Sequence, residues 1–461
     1  MTPRQWLRLV LVGLGASVVP LDTAVNIGFP DITASFGLPI QQIQWVVICY
    51  VLTYASLMLA FGRVGDIFGY ARVFRAGLAW SVAAFLLCAA APTYGWLLFF
   101  RFLQGIGAGL VISVAPALVT GLFPEHRRSR AVAAFTMIFA LASAFGPLIG
   151  GALVSVWKWP AVFWFRAPIA LAALVFLEGL PRGGGRTARE PLDIPGAVLL
   201  ALAISSVLLL VNEFPRFGGR DWLSTLLFGL AVVAIFTFIR RESRVVVPIV
   251  NLEFFRNLSF AAINTASVLI YLTSFSVLLF VPYYLVRFTV LPLPWAGAVL
   301  AASFAGTMAS SPLAGRLIER MPANRITLAG AVLSGAGLIA IGSWNVGLMS
   351  RTPVLLTALI AQGFGVGLFQ VAYMDVVIGT IPQRDRGVSG SIAMLTRTLG
   401  IVGGATLLSL VFNSIDHQAL SGGAPAPEAF MTAFRTTFYA AGLVSILTGA
   451  AALVASIRRR P

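Results

Sequence analysis

Apolar segments long enough to cross a bilayer recur along this whole chain, and they restrict its fold more than any other feature. Residues 223–239 hold no charged side chain, and stretches of similar character follow one another along the 461 residues. A spanning helix needs about 20 mainly apolar residues. In hydrocarbon every backbone N–H and C=O must be satisfied internally, which leaves helices or a closed barrel. The segments lack the alternation of barrel strands, so an all-α integral membrane protein is expected. Composition agrees: 59% of residues are hydrophobic and 10% charged, against roughly 25% charged in soluble domains.

Hydropathy predicts about fourteen spans. Six lie near 7–30, 43–61, 73–91, 95–121, 131–154 and 161–180. Two follow near 194–212 and 223–240, and six more near 258–286, 296–315, 326–346, 353–379, 388–412 and 432–456. The first resembles a signal peptide, but Asp22 interrupts the run and no small-residue cleavage site follows, so it is read as a span.

A net charge of +16 invites a nucleic-acid reading, and the placement of the charges argues against it. With the N-terminus inside, 23 of the 32 basic residues fall on cytoplasmic segments and six on the opposite side. That is the positive-inside asymmetry, and it predicts both termini in the cytoplasm. Cys49 and Cys88 lie within spans and His126 and His417 in loops, so neither a disulfide framework nor a metal cage is expected. No cofactor motif, phosphate loop or catalytic constellation supports an enzyme or a receptor.

The chain also repeats itself. Gln104-Gly105-Ile106-Gly107-Ala108-Gly109 in the fourth span returns as Gln362-Gly363-Phe364-Gly365-Val366-Gly367 in the twelfth. Gly62-Arg63-Val64-Gly65-Asp66 is echoed by Gly315-Arg316-Leu317-Ile318-Glu319. Parallel repeats of this kind build many transporters. Two six-helix halves alone would pair the fourth span with the tenth, so two extra spans are inserted between them. The expected layout is a first half at 1–180, a linker with two inserted spans at 181–245, and a second half at 246–461.

On these residues the chain resembles the major facilitator superfamily, in its fourteen-helix drug–proton antiporter branch. The loop after the second span carries the family's Gly62, Asp66, Gly69 and Arg72, and the fourth span its Arg101, Gln104, Gly105 and Gly107. Gly146, Pro147, Gly150 and Gly151 match the antiporter pattern of the fifth. Gln44-Trp45-Val46-Val47 with Tyr50, and Asn26-Ile27-Gly28-Phe29-Pro30, match the branch's second-span opening and first-span ending. The family's first-span aspartate aligns with Leu21, one position before Asp22.

Asp22 is the first functional candidate, because a carboxylate inside a spanning helix is costly unless paired or wet. It lies about 12 Å from the outer end of its span and Arg101 about 9 Å from the same side. A carboxylate that gains and loses such a partner can bind and release a proton. A structural ion pair between the two spans, or contact with a cationic substrate, are the other readings. Asp66 is expected either to lock an inner gate or to cap the next helix, with Glu319 as its second-half counterpart. Gly146 and Pro147 permit a flexible seal or plain close packing. Asp375 reads as a second protonation or cation site, a partner of Arg397, or an interfacial side chain. Arg166 and Glu178 read as outer and inner interface anchors.

The resemblance implies a cavity with substrate contacts at Asn26, Tyr50, Tyr54, Gln104, Phe139, Asn264, Tyr271, Phe275, Gln362, Gln370 and Tyr373. It implies proton-coupled efflux of an amphipathic, cationic or neutral compound by alternating access, from a monomer in lipid at a bacterial cytoplasmic membrane. Proton symport or facilitated uptake of a small metabolite is the rival within transport.

Overall fold

The computed structural model describes residues 3–123, 125–176, 195, 196, 198–200, 202, 203, 206, 222–245, 252–289, 291–345, 352–380 and 388–457. The described chain is helical throughout. Eleven of its helices are long and apolar enough to cross a membrane, and Ala161–Phe176 forms a shorter apolar segment. Against the expectation of about fourteen spans, the described residues hold eleven. Most of the predicted seventh span and Glu178 lie outside them. The eighth corresponds to a 21-residue helix, Trp222–Glu242, whose Leu226, Phe228, Val233 and Phe236 are exposed, as suits a lipid-facing surface.

The chain divides into two compact units. The first comprises Met1–Ala201 together with Pro292–Ala298. Its opening span is not one helix, as hydropathy suggests, but a chain of pieces: α1 (Pro3–Ser17), a 3₁₀ turn (Pro20–Thr23), α2 (Ala24–Ile27) and α3 (Phe29–Phe36). Pro20 and Pro30 lack the backbone N–H that would continue the ladder. Next come α4 (Gln44–Phe68), α5 (Tyr70–Ala89), α6 (Tyr94–Gly121) and α7 (Glu125–Trp157). The abrupt reversal between α4 and α5 turns on Gly69, whose φ of +91° suits a residue without Cβ. Pro147 lies within α7, which stays helical on either side of it. The short α8 (Ala161–Trp164) and α9 (Arg166–Phe176) follow a turn in which Asp31 accepts a hydrogen bond from the Trp159 backbone N–H at 2.7 Å.

The second unit comprises Leu202–Leu291 and Val299–Pro461. It contains α10 (Trp222–Glu242), α11 (Leu258–Phe288), most of α12 (Leu293–Ile318), α13 (Ala323–Gly342), α14 (Thr352–Thr380), α15 (Val388–Ser421) and α16 (Ala426–Ile457). Asn257 caps α11 by accepting from the backbone N–H groups of Ser259 and Phe260. α13 packs against α14 and α16, and α11 against α15 and α16.

The sequence repeat has a structural meaning in each unit. A Cβ on Gly105 would meet Thr53 and the Tyr50 carbonyl of α4 at 2.6 and 2.8 Å, whereas one on Gly107 would meet Ser81 of α5 at 2.5 Å. In the second copy a Cβ on Gly363 would collide with the Ser303 carbonyl of α12, and one on Gly365 with Ser334 of α13. Positions two apart lie about 200° around a helix. Alternate glycines thus let one helix approach two neighbours at once, as small residues do in membrane bundles.

Candidate functional site

The broken first span aims Asp22 into the first unit. Asp22 is the third residue of the 3₁₀ turn, with its backbone N–H bonded to the Val19 carbonyl at 3.0 Å. A 3₁₀ turn advances 3.0 residues per revolution rather than 3.6. The one-position offset of Asp22 from Leu21 therefore corresponds to about 120° of rotation rather than about 100°, and the two side chains face different ways. Leu21 is buried in the packing, and Asp22 receives the polar groups.

Arg101 donates to both carboxylate oxygens of Asp22, Nη1 to Oδ1 at 2.7 Å and Nη2 to Oδ2 at 2.9 Å. This is the bidentate fork that gives a guanidinium–carboxylate pair its strength and direction. Arg101 is fixed from behind: its Nε donates to the Val46 carbonyl of α4 at 2.7 Å, and its guanidinium lies 4.3 Å from the centroid of the Tyr50 ring. Gln104, one turn along α6, donates from Nε2 to Asp22 Oδ1 at 3.1 Å and accepts from Arg101 Nη1 at 2.9 Å. The Cys88 thiol of α5 lies 3.6 Å from the same Gln104 oxygen.

A second cation completes the site. Arg166 donates from Nη1 to Asp22 Oδ1 at 2.7 Å. Its side chain is fully buried, that of Arg101 is 1% exposed and that of Asp22 15%. Arg166 is therefore not the outer-interface anchor that its place at the start of a span suggested. The turn at Phe165 swings it inwards, and its guanidinium rests over the Phe85 ring at 4.5 Å. Two arginines share one carboxylate, so the cluster carries a formal surplus of one positive charge. Arg166 Nε and Nη2 and the Tyr50 hydroxyl are buried with no hydrogen-bond partner among the described residues.

Other candidates fall around this centre or apart from it. Asn26, Tyr54 and Gln104 are buried in the first unit, and Tyr54 meets Tyr50 edge to face at 5.2 Å. Phe139 is half-buried on α7 beside Phe135. A Cβ on Gly146 would collide with the Thr23 hydroxyl, and one on Gly150 would sit 2.6 Å from the Ala24 carbonyl. The antiporter-like glycines thus seat α7 on the turn that carries Asp22. Around a Cβ at Gly62 there is open space, Arg72 is exposed, and the side chain of Asp66 lies outside the described ones.

In the second unit Asn264, Phe275, Gln362 and Tyr373 are buried, Tyr271 is half-buried, and Gln370, Asp375 and Glu319 are exposed. Gln362 accepts from Ser303 at 2.7 Å, and Tyr373 donates to Asn264 at 2.9 Å. Asp375 and Arg397 form no ion pair with each other; Arg397 lies beside the Tyr271 ring. Sequence reasoning missed Arg166 as a partner of Asp22. The available signal was that an arginine inside a span needs an acid.

Comparisons with known proteins agree with this architecture. Residues 10–288 and 263–461 each match the Major Facilitator Superfamily. The puromycin resistance protein pur8 of Streptomyces alboniger is 30% identical over 93% of this chain and 86% of its own length. The multidrug transporter protein MdtP of Bacillus subtilis is 26% identical over 87% of this chain and 73% of its own. A bacterial homologue of the human lysosomal transporter Spinster, solved inward-facing and unoccupied, superposes with a TM-score of 0.73 at 15% identity, covering 99% of this chain and 98% of that one. At that identity the likeness speaks for the fold.

Proposed function

Since this chain belongs to the Major Facilitator Superfamily and is a multi-pass membrane transporter rather than an enzyme, we propose that it expels amphipathic organic compounds in exchange for protons. The exchange takes place by alternating access across a bacterial cytoplasmic membrane, with both termini inside and a single chain sufficient. Relatives named for puromycin and multidrug resistance support the substrate side of this reading. The observation that carries the proton side is the buried Asp22 network.

Charged Asp22 accepts four hydrogen bonds from Arg101, Arg166 and Gln104. A proton on Asp22 removes the one negative charge between two guanidiniums and turns an acceptor oxygen into a donor facing donors. The network cannot persist in that form, so protonation and the position of the 3₁₀ turn are linked. A ligand-driven shift of this kind needs a binding difference between two states, and the loss of up to four charge-assisted bonds supplies it. Arg101 and Gln104 serve as positioning residues. Asp375 is a secondary proton site in this scheme. Gly62, Asp66, Gly69, Arg72 and Glu319 belong to inner gates, and Gly105, Gly146, Pro147 and Gly150 to the surfaces along which helices move. Substrate is met by aromatic and amide side chains such as Tyr50, Tyr54, Tyr271, Phe275 and Gln370.

The test is exchange in proteoliposomes under an imposed pH gradient, comparing wild type with Asp22→Asn. Substrate-induced proton release that vanishes in the variant while substrate binding persists is the expected result. Unchanged exchange would remove Asp22 from the coupling role, and co-directional movement of proton and substrate would overturn antiport.

A further inference from the structure

Arg397 is a charged side chain inside a spanning helix with no carboxylate partner among the described residues. It lies on α15 within the span Leu395–Ser421, and its guanidinium carbon stands 5.6 Å from the centroid of the Tyr271 ring of α11. Its Nε is buried without a hydrogen-bond partner, while the side chain as a whole keeps partial exposure. No ion pair to it exists among the described residues. Asp375 on α14 is exposed and not paired with it, and Asp416 lies about five turns further along α15. Arg287, near the far end of α11, has the same sign. The first unit is different, since both of its buried arginines share Asp22.

The surroundings hold Arg397 in place without neutralising it. A Cβ on Gly400, one turn along α15, would come 2.6 Å from Tyr271 Cβ and 2.5 Å from the Val268 carbonyl. The two helices are therefore in backbone-level contact, which holds the backbones that carry Arg397 and Tyr271 close together. One set of neighbouring polar groups is occupied internally: Thr396 lies 3.0 Å from the Ser267 hydroxyl and 3.2 Å from that of Tyr373, whereas the buried Thr398 hydroxyl has no hydrogen-bond partner among the described residues. Tyr373 donates to Asn264, whose amide donates to the Phe260 carbonyl at 2.8 Å. The result is a surface offering one cation without an ion-pair partner among the described residues, one aromatic ring and a partly exposed edge.

We propose that Arg397 and Tyr271 form the receptor for the acidic group of a transported aromatic anion, a carboxylate, sulfonate or phenolate. Guanidinium N–H groups bind such oxygens through charge-assisted hydrogen bonds, and the Tyr271 ring offers the adjoining aromatic body an offset-stacked or edge contact. The proposal names the substrate class of the transport reading and rests on it for any consequence in flux. It also reverses the cationic or neutral character expected from the sequence.

The experiment is equilibrium binding without a gradient, by fluorescence anisotropy, to purified full-length protein in phosphatidylcholine nanodiscs. The probes are fluorescein and rhodamine 6G, which share a xanthene core and carry opposite charge. Wild type is expected to favour fluorescein. Arg397→Gln is expected to lose about tenfold or more of that affinity, the worth of one charge-assisted bond, with rhodamine 6G binding not weakened. Arg397→Lys should recover part of the loss. A wild-type preference for rhodamine 6G overturns the proposal. So does a fluorescein affinity unchanged in Arg397→Gln, as snorkelling to the interface would give, or an equal loss for both dyes, as a packing role would give. If Arg397→Gln does not fold, the wild-type preference and Arg397→Lys decide. Failure of proton coupling in vesicles would sink antiport and leave this binding result standing, and the converse holds.

Discussion

Two guanidiniums converge on the carboxylate of Asp22, and the three side chains differ in what their removal leaves behind. Asp22→Ala strands two buried cations, and breaking a buried pair costs about 3–5 kcal/mol. Arg166→Met keeps the bidentate bond to Arg101 and retains apolar packing on Phe85, so thermal unfolding in detergent should show it as the milder change. Asp22→Asn combined with Arg166→Met should be more stable than Asp22→Asn alone, with a coupling energy of about 1–3 kcal/mol. A coupling of zero would mean that Arg166 does not depend on Asp22. The link from Asp22 to Arg101 was legible in the sequence, because two charges sat within spans at comparable depth. The link to Arg166 was not, since it joins residues 144 apart and depends on a turn at Phe165 that hydropathy cannot register.

At the level of helices, some glycines touch a neighbour's backbone, some a neighbour's side chain, and some face open space. Gly363→Ala forces a methyl into the Ser303 carbonyl and should cost about 1–3 kcal/mol, as overpacking does. Gly62→Ala meets nothing within 4 Å and should leave stability unchanged or raised by up to about 1 kcal/mol, since alanine favours helix. If Gly62→Ala then slows transport without loss of fold, measured as dye exchange per folded molecule, the effect belongs to gating. The repeat around Gln104 and Gln362 was visible in sequence because close approach admits few residue types. The division of the first span was not: its apolar content reads as one helix, and only the ladder bonds lost at Pro20 and Pro30 break it into turns.

Across the whole chain, charge rather than shape sets the expected orientation. Since the fourteen-span reading puts 23 basic residues on the termini and loops of one side, fluorescent tags at the two termini should be quenched only by a reagent admitted to the cytoplasmic side. A tag quenched from outside would refute that topology. The apolar share announced a bundle of spanning helices, whereas the proposed proton site rests on a few side chains whose pairing composition does not encode. The Thr23 hydroxyl, bonded to the Pro20 and Ser143 carbonyls at 3.0 Å each, acts as a rivet between a four-residue crank and the long α7. The crank carries Asp22. Under the proton exchange proposed above, any variant selected for a looser or tighter fit along α7 would arrive with an altered response to acidity, and the two traits would be inherited as one.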